Sequence, residues 1–403
     1  MDPLIERTLR EAYGRLVAIL AARSRDIMAA EDALQDALMA ALEQWPREGT
    51  PRDPEAWLMT VAKRRLLDGH RRNALTQEIV ANWPMASAAQ DHAVTTPLSD
   101  DRLELMLLCS HPAIDRAMHA PLMLQTVLGL NAERIAAAFL VSPSTMSQRL
   151  VRAKQKVRDA GIRFELPDPS VLEERISSLL DAIYAAYGTA WEDLAAAGPG
   201  RYLHQEATLL CKAVLQRLPT HAEALGLLAL MRYTEARDHA RRDADGAYVP
   251  LSEQDVQRWD RDILMEAEAT LRKAAAQGQL GRYQLEAAIQ SAHVTARLTG
   301  RKDPEAILQL YEALVQFAPS IGALVAHAAA YAEVYGAEAG LQLLDQLEPE
   351  RVRTYQAFHA LRAELFLRLQ RFTEARIAYS KAIGSSMDPA VRQFLQRRLG
   401  TVP

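Results

Sequence analysis

Residues Leu130 to Arg158 read LNAERIAAAFLVSPSTMSQRLVRAKQKVR, and the period of their apolar positions decides the fold. Ile135, Ala136 and Phe139 share one face of a short first helix, and Val141 and Ser142 fill the turn after it. Beyond the turn, Met146, Leu150, Ala153 and Val157 recur at steps of 4, 3 and 4, the spacing of one inward stripe on a second helix. Ser142 or Ser144 can cap that helix, because a serine hydroxyl accepts from amides left unbonded in the first turn. The outward residues are then Ser144, Thr145, Ser147, Gln148, Arg149, Arg152, Gln155 and Lys156, short polar groups first and cations further along. That order suits a helix whose N-terminal side chains reach base edges while later cations meet phosphates. Two packed helices with a charged outer face would share the pattern. Gln148 and Arg149 are the candidates for base contact, since such side chains pair bidentately with adenine and guanine.

The rest of the chain is of the same character. Its 403 residues suffice for roughly two to four domains. Only 18 glycines, 19 prolines and 6 % aromatics stand among abundant alanine and leucine, which predicts an all-α protein. With 49 % hydrophobic and 24 % charged residues the chain can bury ordinary cores. No apolar run approaches the roughly 18 residues of a membrane span, and the start MDPLIERTLREAYGRL interleaves charges, so a cytoplasmic protein without a membrane partner is expected. Cys109 and Cys211 are too few for a disulfide framework or a four-ligand zinc site and are expected to be buried thiols. The sequence holds no Walker loop, HExxH, GxSxG or Cys-x-x-Cys, so neither catalysis, cofactor nor metal is expected.

The net charge of −4 conceals its distribution. Residues 1–163 carry 21 Lys and Arg against 20 Asp and Glu, whereas residues 164–403 are net −5. Within the first part, KRRLLDGHRR (Lys63 to Arg72) holds five cations and one Asp, and Arg149 to Arg163 hold six and one. Clustered positive charge is what a phosphate backbone selects, through release of its condensed counterions, although a solvated helix face also looks like this. Helical periods cover Leu4 to Arg23, Ala29 to Glu43, closed by Trp45-Pro46, and Pro54 to Arg72. They resume at Arg102 to Cys109, Pro112 to Val127, Asn131 to Phe139 and Ser144 to Ala160. Asn73 to Asp100 contain no Lys or Arg, and most of that stretch, residues 76–100, is expected to be a linker.

Three motifs occur in register. AEDALQDALMAALEQWP (Ala30 to Pro46) resembles the helix with which bacterial RNA polymerase sigma factors of the extracytoplasmic-function type grip the polymerase clamp. PEAWLMTVAKRRLLDGHRR (Pro54 to Arg72) resembles their helix that reads and melts the minus-ten promoter element, and Leu130 to Arg158 resemble the domain that binds the minus-thirty-five element. The resemblance implies a region 2 helical bundle over 1–75, the linker, and a helix-turn-helix region 4 over 101–163. It implies core RNA polymerase, through its β′ clamp and β subunits, and promoter DNA as partners. Glu31, Asp32, Gln35 and Asp36 would then contact polymerase, and Lys63, Arg64, Arg65, Arg71 and Arg72 would follow the minus-ten strand. Ser144, Thr145, Ser147, Gln148, Arg149, Arg152 and Lys156 would meet the minus-thirty-five duplex. Cations along a strand being separated fit that task, since melting needs a surface that favours single-stranded DNA. Trp57, with Leu58 and Val61, fits an apolar face better than a stacking platform. The second helix begins Ser-Thr-Met-Ser-Gln-Arg where many members have Gly-Thr-Val-Lys-Ser-Arg, so a cation is lost and a glutamine gained.

Residues 164–403 resemble the tetratricopeptide-like extension of one subgroup, a match that includes YQLEAAIQSAH (Tyr283 to His293). Ala363, Ala375, Tyr379 and Ala382 fall where small or aromatic residues let paired helices close, and Ala306, Leu310, Ala313 and Pro319 repeat the latter half. Ala339 and Leu343 hint at a shortened unit between them. Such units stack into a curved α-solenoid with a concave binding face, and a helical bundle is the alternative. Asp243, Asp245 and Gly246 suggest a turn rather than a calcium loop, since the twelfth position from Asp243 is Gln254. The expected protein is a promoter-directing sigma factor whose acidic extension regulates it by contact with the sigma domains. A helix-turn-helix regulator or scaffold with a tetratricopeptide-like sensor, acting without polymerase, is the alternative.

Overall fold

Asp26 separates the first two helices. Its backbone is extended, and its carboxylate Oδ1 accepts the amide of Ala29 at 3.1 Å, capping α2 (Ile27–Glu48) just after α1 (Pro3–Ser24). The computed structural model describes residues 3–24, 26–70, 101–139, 141–160, 169–193 and 199–403. All elements among them are helical, with an isolated β-bridge between Arg242 and Tyr248 and no strand. None of the described helices is long and apolar enough to cross a membrane. The chain divides into two units, Met1–Val214 and Leu215–Pro403.

The first unit opens with α1, α2 and α3 (Pro54–His70), packed on one another around Leu16, Leu20, Leu34, Leu58 and Leu66. Full burial of a leucine contributes about 1.5–3 kcal/mol, so these side chains dominate the local balance. Helix α2 continues through Pro46, past the closure expected there. In the last turn a proline removes only one amide, and the helix instead ends at Gly49, whose φ of 90° suits glycine and whose N–H bonds the Trp45 carbonyl. Helices α4 (Asp101–Cys109), α5 (Arg116–Thr126), α6 (Ala132–Ala138) and α7 (Pro143–Asp159) follow. Helix α5 starts at Arg116 and not at Pro112, because Asp115 caps it through the Ala117 amide and His111 Nδ1 accepts the Ala113 amide, holding 111–115 as a turn. Helices α8 (Pro169–Asp193) and α9 (Pro199–Arg217) belong to the predicted extension, yet α8 packs on α4 and α5.

In the second unit, α10 (Ala222–Glu235), α11 (Arg261–Ala275) and α12 (Arg282–Thr299) enclose Tyr233, Trp259, Leu264, Ala267 and Val294. Next come α13 (Pro304–Phe317), α14 (Ile321–Tyr335), α15 (Ala337–Asp345), α16 (Pro349–Val352), α17 (Gln356–Arg368), α18 (Phe372–Ser385) and α19 (Pro389–Gly400). Each packs chiefly on its chain neighbours, as stacked helical units do. Ala363, Ala375, Tyr379 and Ala382 are all buried where α17 meets α18. The stack is not open-ended. The segment between α10 and α11 reaches the last helix: Arg242 pairs with Asp388 at 3.0 Å, Asp243 with Arg397 at 3.2 Å and Glu253 with Arg398, while the rings of Tyr248 and Phe394 meet edge-on at 5.7 Å. The Asp243 carboxylate also accepts the amides of Asp245 and Ala247, making the turn its sequence suggested.

Candidate functional site

The candidate DNA-facing helix is built as its periodicity demands. Ser142 Oγ accepts the Thr145 amide at 3.2 Å and fixes the start of α7, with Pro143 in the first turn. Met146, Leu150, Ala153 and Val157 are buried, and Ser144, Ser147, Gln148, Arg149, Arg152 and Lys156 are exposed. Thr145 is half-buried, its hydroxyl 2.7 Å from that of Ser142. The exposed row therefore offers short polar groups beside the helix N-terminus and cations beyond, which suits a polyanion approaching that end.

Helix α2 presents Asp32, Gln35 and Asp36 to solvent, and Asp36 lies 3.9 Å from Arg65 of α3, a contact between exposed groups that adds little energy. Arg64 is also exposed, and Lys63 is half-buried. Arg71 and Arg72 lie outside the described residues. Trp57 is half-buried and meets the buried Trp45 edge-on, with centroids 5.5 Å apart, so its ring belongs to the packing of α2 on α3.

Glu31 does not share the exposed surface of its three neighbours. It is 7 % exposed, and its Oε2 accepts Lys154 Nζ of α7 at 2.5 Å. Burial holds its carboxyl above the usual range, against the pull of the Lys154 ammonium. Asp26 Oδ1 accepts Nη2 of Arg158 at 3.0 Å, and its Oδ2 lies 2.9 Å from Nε of the same guanidinium. Nearby, burial together with Glu31 and Asp32 raises the Tyr13 phenol well above its ordinary value. Lys154, Arg158 and Asp26 went unmarked in the sequence. Lys154 adjoins the inward residue Ala153, which is the one local sign that this cation faces inward.

Helices α8 and α9 reach the same unit. Arg102 Nη1 donates to both carboxylate oxygens of Glu206, at 2.6 and 3.0 Å, and all these groups are nearly buried. His119 Nε2 donates to the Ile114 carbonyl at 3.1 Å, and its Nδ1 accepts the Ser178 hydroxyl at 3.0 Å. The Tyr187 and His204 rings lie 4.2 Å apart. Among the described residues no group of His, Cys, Asp and Glu has the arrangement of a metal site.

Residues 8–76 match the Sigma-70 region 2 family, and residues 175–275 match a family of unknown function, DUF6596. Over 402 residues the chain is 34 % identical to the uncharacterized protein R00370 of Rhizobium meliloti (strain 1021), covering 98 % of this chain and 95 % of that one. No solved structure matches the chain. The N-terminal module is thus of the sigma-70 region 2 type, the non-enzymatic domain that binds core RNA polymerase and promoter DNA. Along nearly its whole length the chain belongs to the same family as the Rhizobium protein.

Proposed function

We propose that the chain is a sigma factor of the extracytoplasmic-function type, acting in the cytoplasm, which binds core polymerase and directs it to a specific set of promoters. Residues 1–75 serve as region 2, 76–100 as linker, 101–163 as a helix-turn-helix region 4 and 164–403 as a tetratricopeptide-like regulatory extension. The observation that carries this reading is the region 2 match over residues 8–76, followed in the chain by a capped helix that turns Gln148, Arg149, Arg152 and Lys156 outward. Asp32, Gln35 and Asp36 serve the polymerase clamp, and Lys63, Arg64, Arg65, Arg71 and Arg72 the minus-ten strand. Ser144, Thr145, Ser147, Gln148, Arg149, Arg152 and Lys156 serve the minus-thirty-five element. The contacts of Ser178 with His119 and of Glu206 with Arg102 support a regulatory role for the extension, because they tie it directly to the helices beside the recognition helix.

Run-off transcription with core polymerase, the full chain and a promoter library tests this. Specific transcripts that depend on the chain are expected. Tight binding to duplex DNA without transcripts would favour the helix-turn-helix regulator acting without polymerase.

A further inference from the structure

Helix α15 ends early. It has 9 residues where α13, α14 and α18 have 14 or 15, so at 1.5 Å per residue it stops roughly 8 Å short of their length. Pro349 then opens the single turn of α16, since a proline suits the first position of a helix and not its continuation. Beside the end of α15, the first turns of α17 and the last turn of α18 border a groove of about 550 Å³. It is built from helix ends, not from a row of parallel helices. Its floor is apolar, with Leu344, Val352 and Phe358 all buried. His359 Nε2 donates to the Arg353 carbonyl at 2.9 Å and so fixes the link from α16 to α17.

The polar groups of the groove are cationic in sum. Arg362 is held in place from three sides: its guanidinium carbon lies 5.6 and 5.3 Å from the ring centroids of Phe358 and Phe366, and its Nη1 bonds Asp345. Its Nε and Nη2 have no partner among the described residues. Arg353 pairs with Glu350 at 3.4 Å, both well exposed. Lys381 has no ion pair and the Ser385 hydroxyl no hydrogen bond among the described residues, and both line the groove. Three cations thus meet two carboxylates, and one negative charge completes the set. An oriented guanidinium fork beside an ammonium suits a carboxylate, and the buried floor suits a hydrocarbon body. The volume falls within the roughly 300–1,000 Å³ of small-molecule sites.

We propose that this groove binds a small organic monoacid. Its apolar body rests on Leu344, Val352 and Phe358, and its carboxylate is held by Arg362 and Lys381 with the Ser385 hydroxyl donating. The site lies wholly in the second unit and holds whether or not the chain acts with polymerase. Gly384 supplies a way to close it. This residue lines the same groove, and a Cβ there would meet nothing within 4 Å. A larger side chain can therefore fill the groove without displacing its walls, and leucine forms helix better than glycine.

Calorimetric titration of the full chain with octanoate tests this, with octanol as the uncharged probe. One saturable site for octanoate is expected, with octanol at least about tenfold weaker, the loss of one charge-assisted contact. Arg362→Met and Lys381→Met should each weaken octanoate by a similar factor, whereas Lys381→Arg, which keeps the charge, retains it. Gly384→Leu should abolish binding while its thermal midpoint stays at or above that of the unaltered chain. Octanoate binding that survives Gly384→Leu, equal affinity for octanol, or no saturation by about 5 mM would each overturn the proposal. Binding of an acetylated tetra-alanine peptide about tenfold tighter than octanoate would make the occupant a protein terminus and overturn it as well.

Discussion

Arg102 and Glu206 stand 104 residues apart in the chain and are joined inside the first unit through one guanidinium nitrogen and both carboxylate oxygens. Their side chains are about a tenth exposed, at 11 % and 8 %. Removing one partner strands the other charge in a poorly hydrated place, which costs about 3–5 kcal/mol, whereas replacing both with apolar groups of similar size can be neutral. Glu206→Ala should therefore lower the urea midpoint sharply, and Arg102→Met with Glu206→Leu should recover most of the loss. Equal losses in the single and double variants would sink this account. If the extension regulates through this contact, Glu206→Ala also changes transcript yield.

The two thiols are expected to be inert in the native protein. Burial pushes both Cys109 and Cys211 up to about 12, so at pH 8 the reactive thiolate is scarce as well as inaccessible. Titration with a chromogenic disulfide should report no reactive thiol before denaturation and two after it.

His119 ties stability to pH. Burial is the main reason its pKa lies below the ordinary value, aided by the Arg116 charge and opposed by its bonds to the carbonyls of Ile114 and His111 and by Glu174. His111 is lowered too, by burial and by the charges of Arg175 and His119. A depressed histidine binds its proton more readily when unfolded, so its contribution is full above about pH 6.5 and is lost as the pH falls. Hydrogen exchange in α8 should accelerate between pH 7 and 5.5 relative to α12, and His119→Asn should flatten that dependence.

Gly226 allows α10 and α12 to touch. A Cβ there would lie 2.7 Å from the Gln284 amide nitrogen and 2.8 Å from its Cγ. Alanine favours an isolated helix by about 1 kcal/mol over glycine, yet the overlap should reverse the sign and destabilise the second unit by about 1–3 kcal/mol. A thermal midpoint at or above that of the unaltered chain would refute this.

On the sigma-factor reading, Arg149 and Lys156 should fail differently. Arg149→Ala removes a base-reading fork and should relax preference at one position of the upstream element by about 1–3 kcal/mol. Lys156→Ala should weaken all promoters alike and reduce the salt slope by about 1. Transcription from promoters with single-base changes, repeated at several salt concentrations, separates the two.

Much of this was legible in the sequence because it is local. The stripe Met146, Leu150, Ala153, Val157 and the cap at Ser142 follow from spacing within one helix, and the closing alanines of α17 and α18 lie within 20 positions of one another. What escaped depends on partners distant in sequence. The partner of Lys154 is not legible locally, because Glu31 stands 123 residues earlier in the chain. Gly14 reads as a helix blemish until the Val127 carbonyl occupies the space its side chain would need. The tie from residues 242–253 to α19 spans some 145 residues, beyond the reach of any periodicity.

That tie changes what kind of object the second unit is. An array of helices linked only to their neighbours has loose ends, and heat or force peels it from whichever end is weaker. With Phe394, Arg397 and Arg398 of the final helix in contact with Tyr248, Asp243 and Glu253, the last helix of the stack is tied back to the segment between α10 and α11. Opening of α19 is therefore expected to break these contacts as well as those with α18, so that the two ends of the helical stack are expected to loosen together.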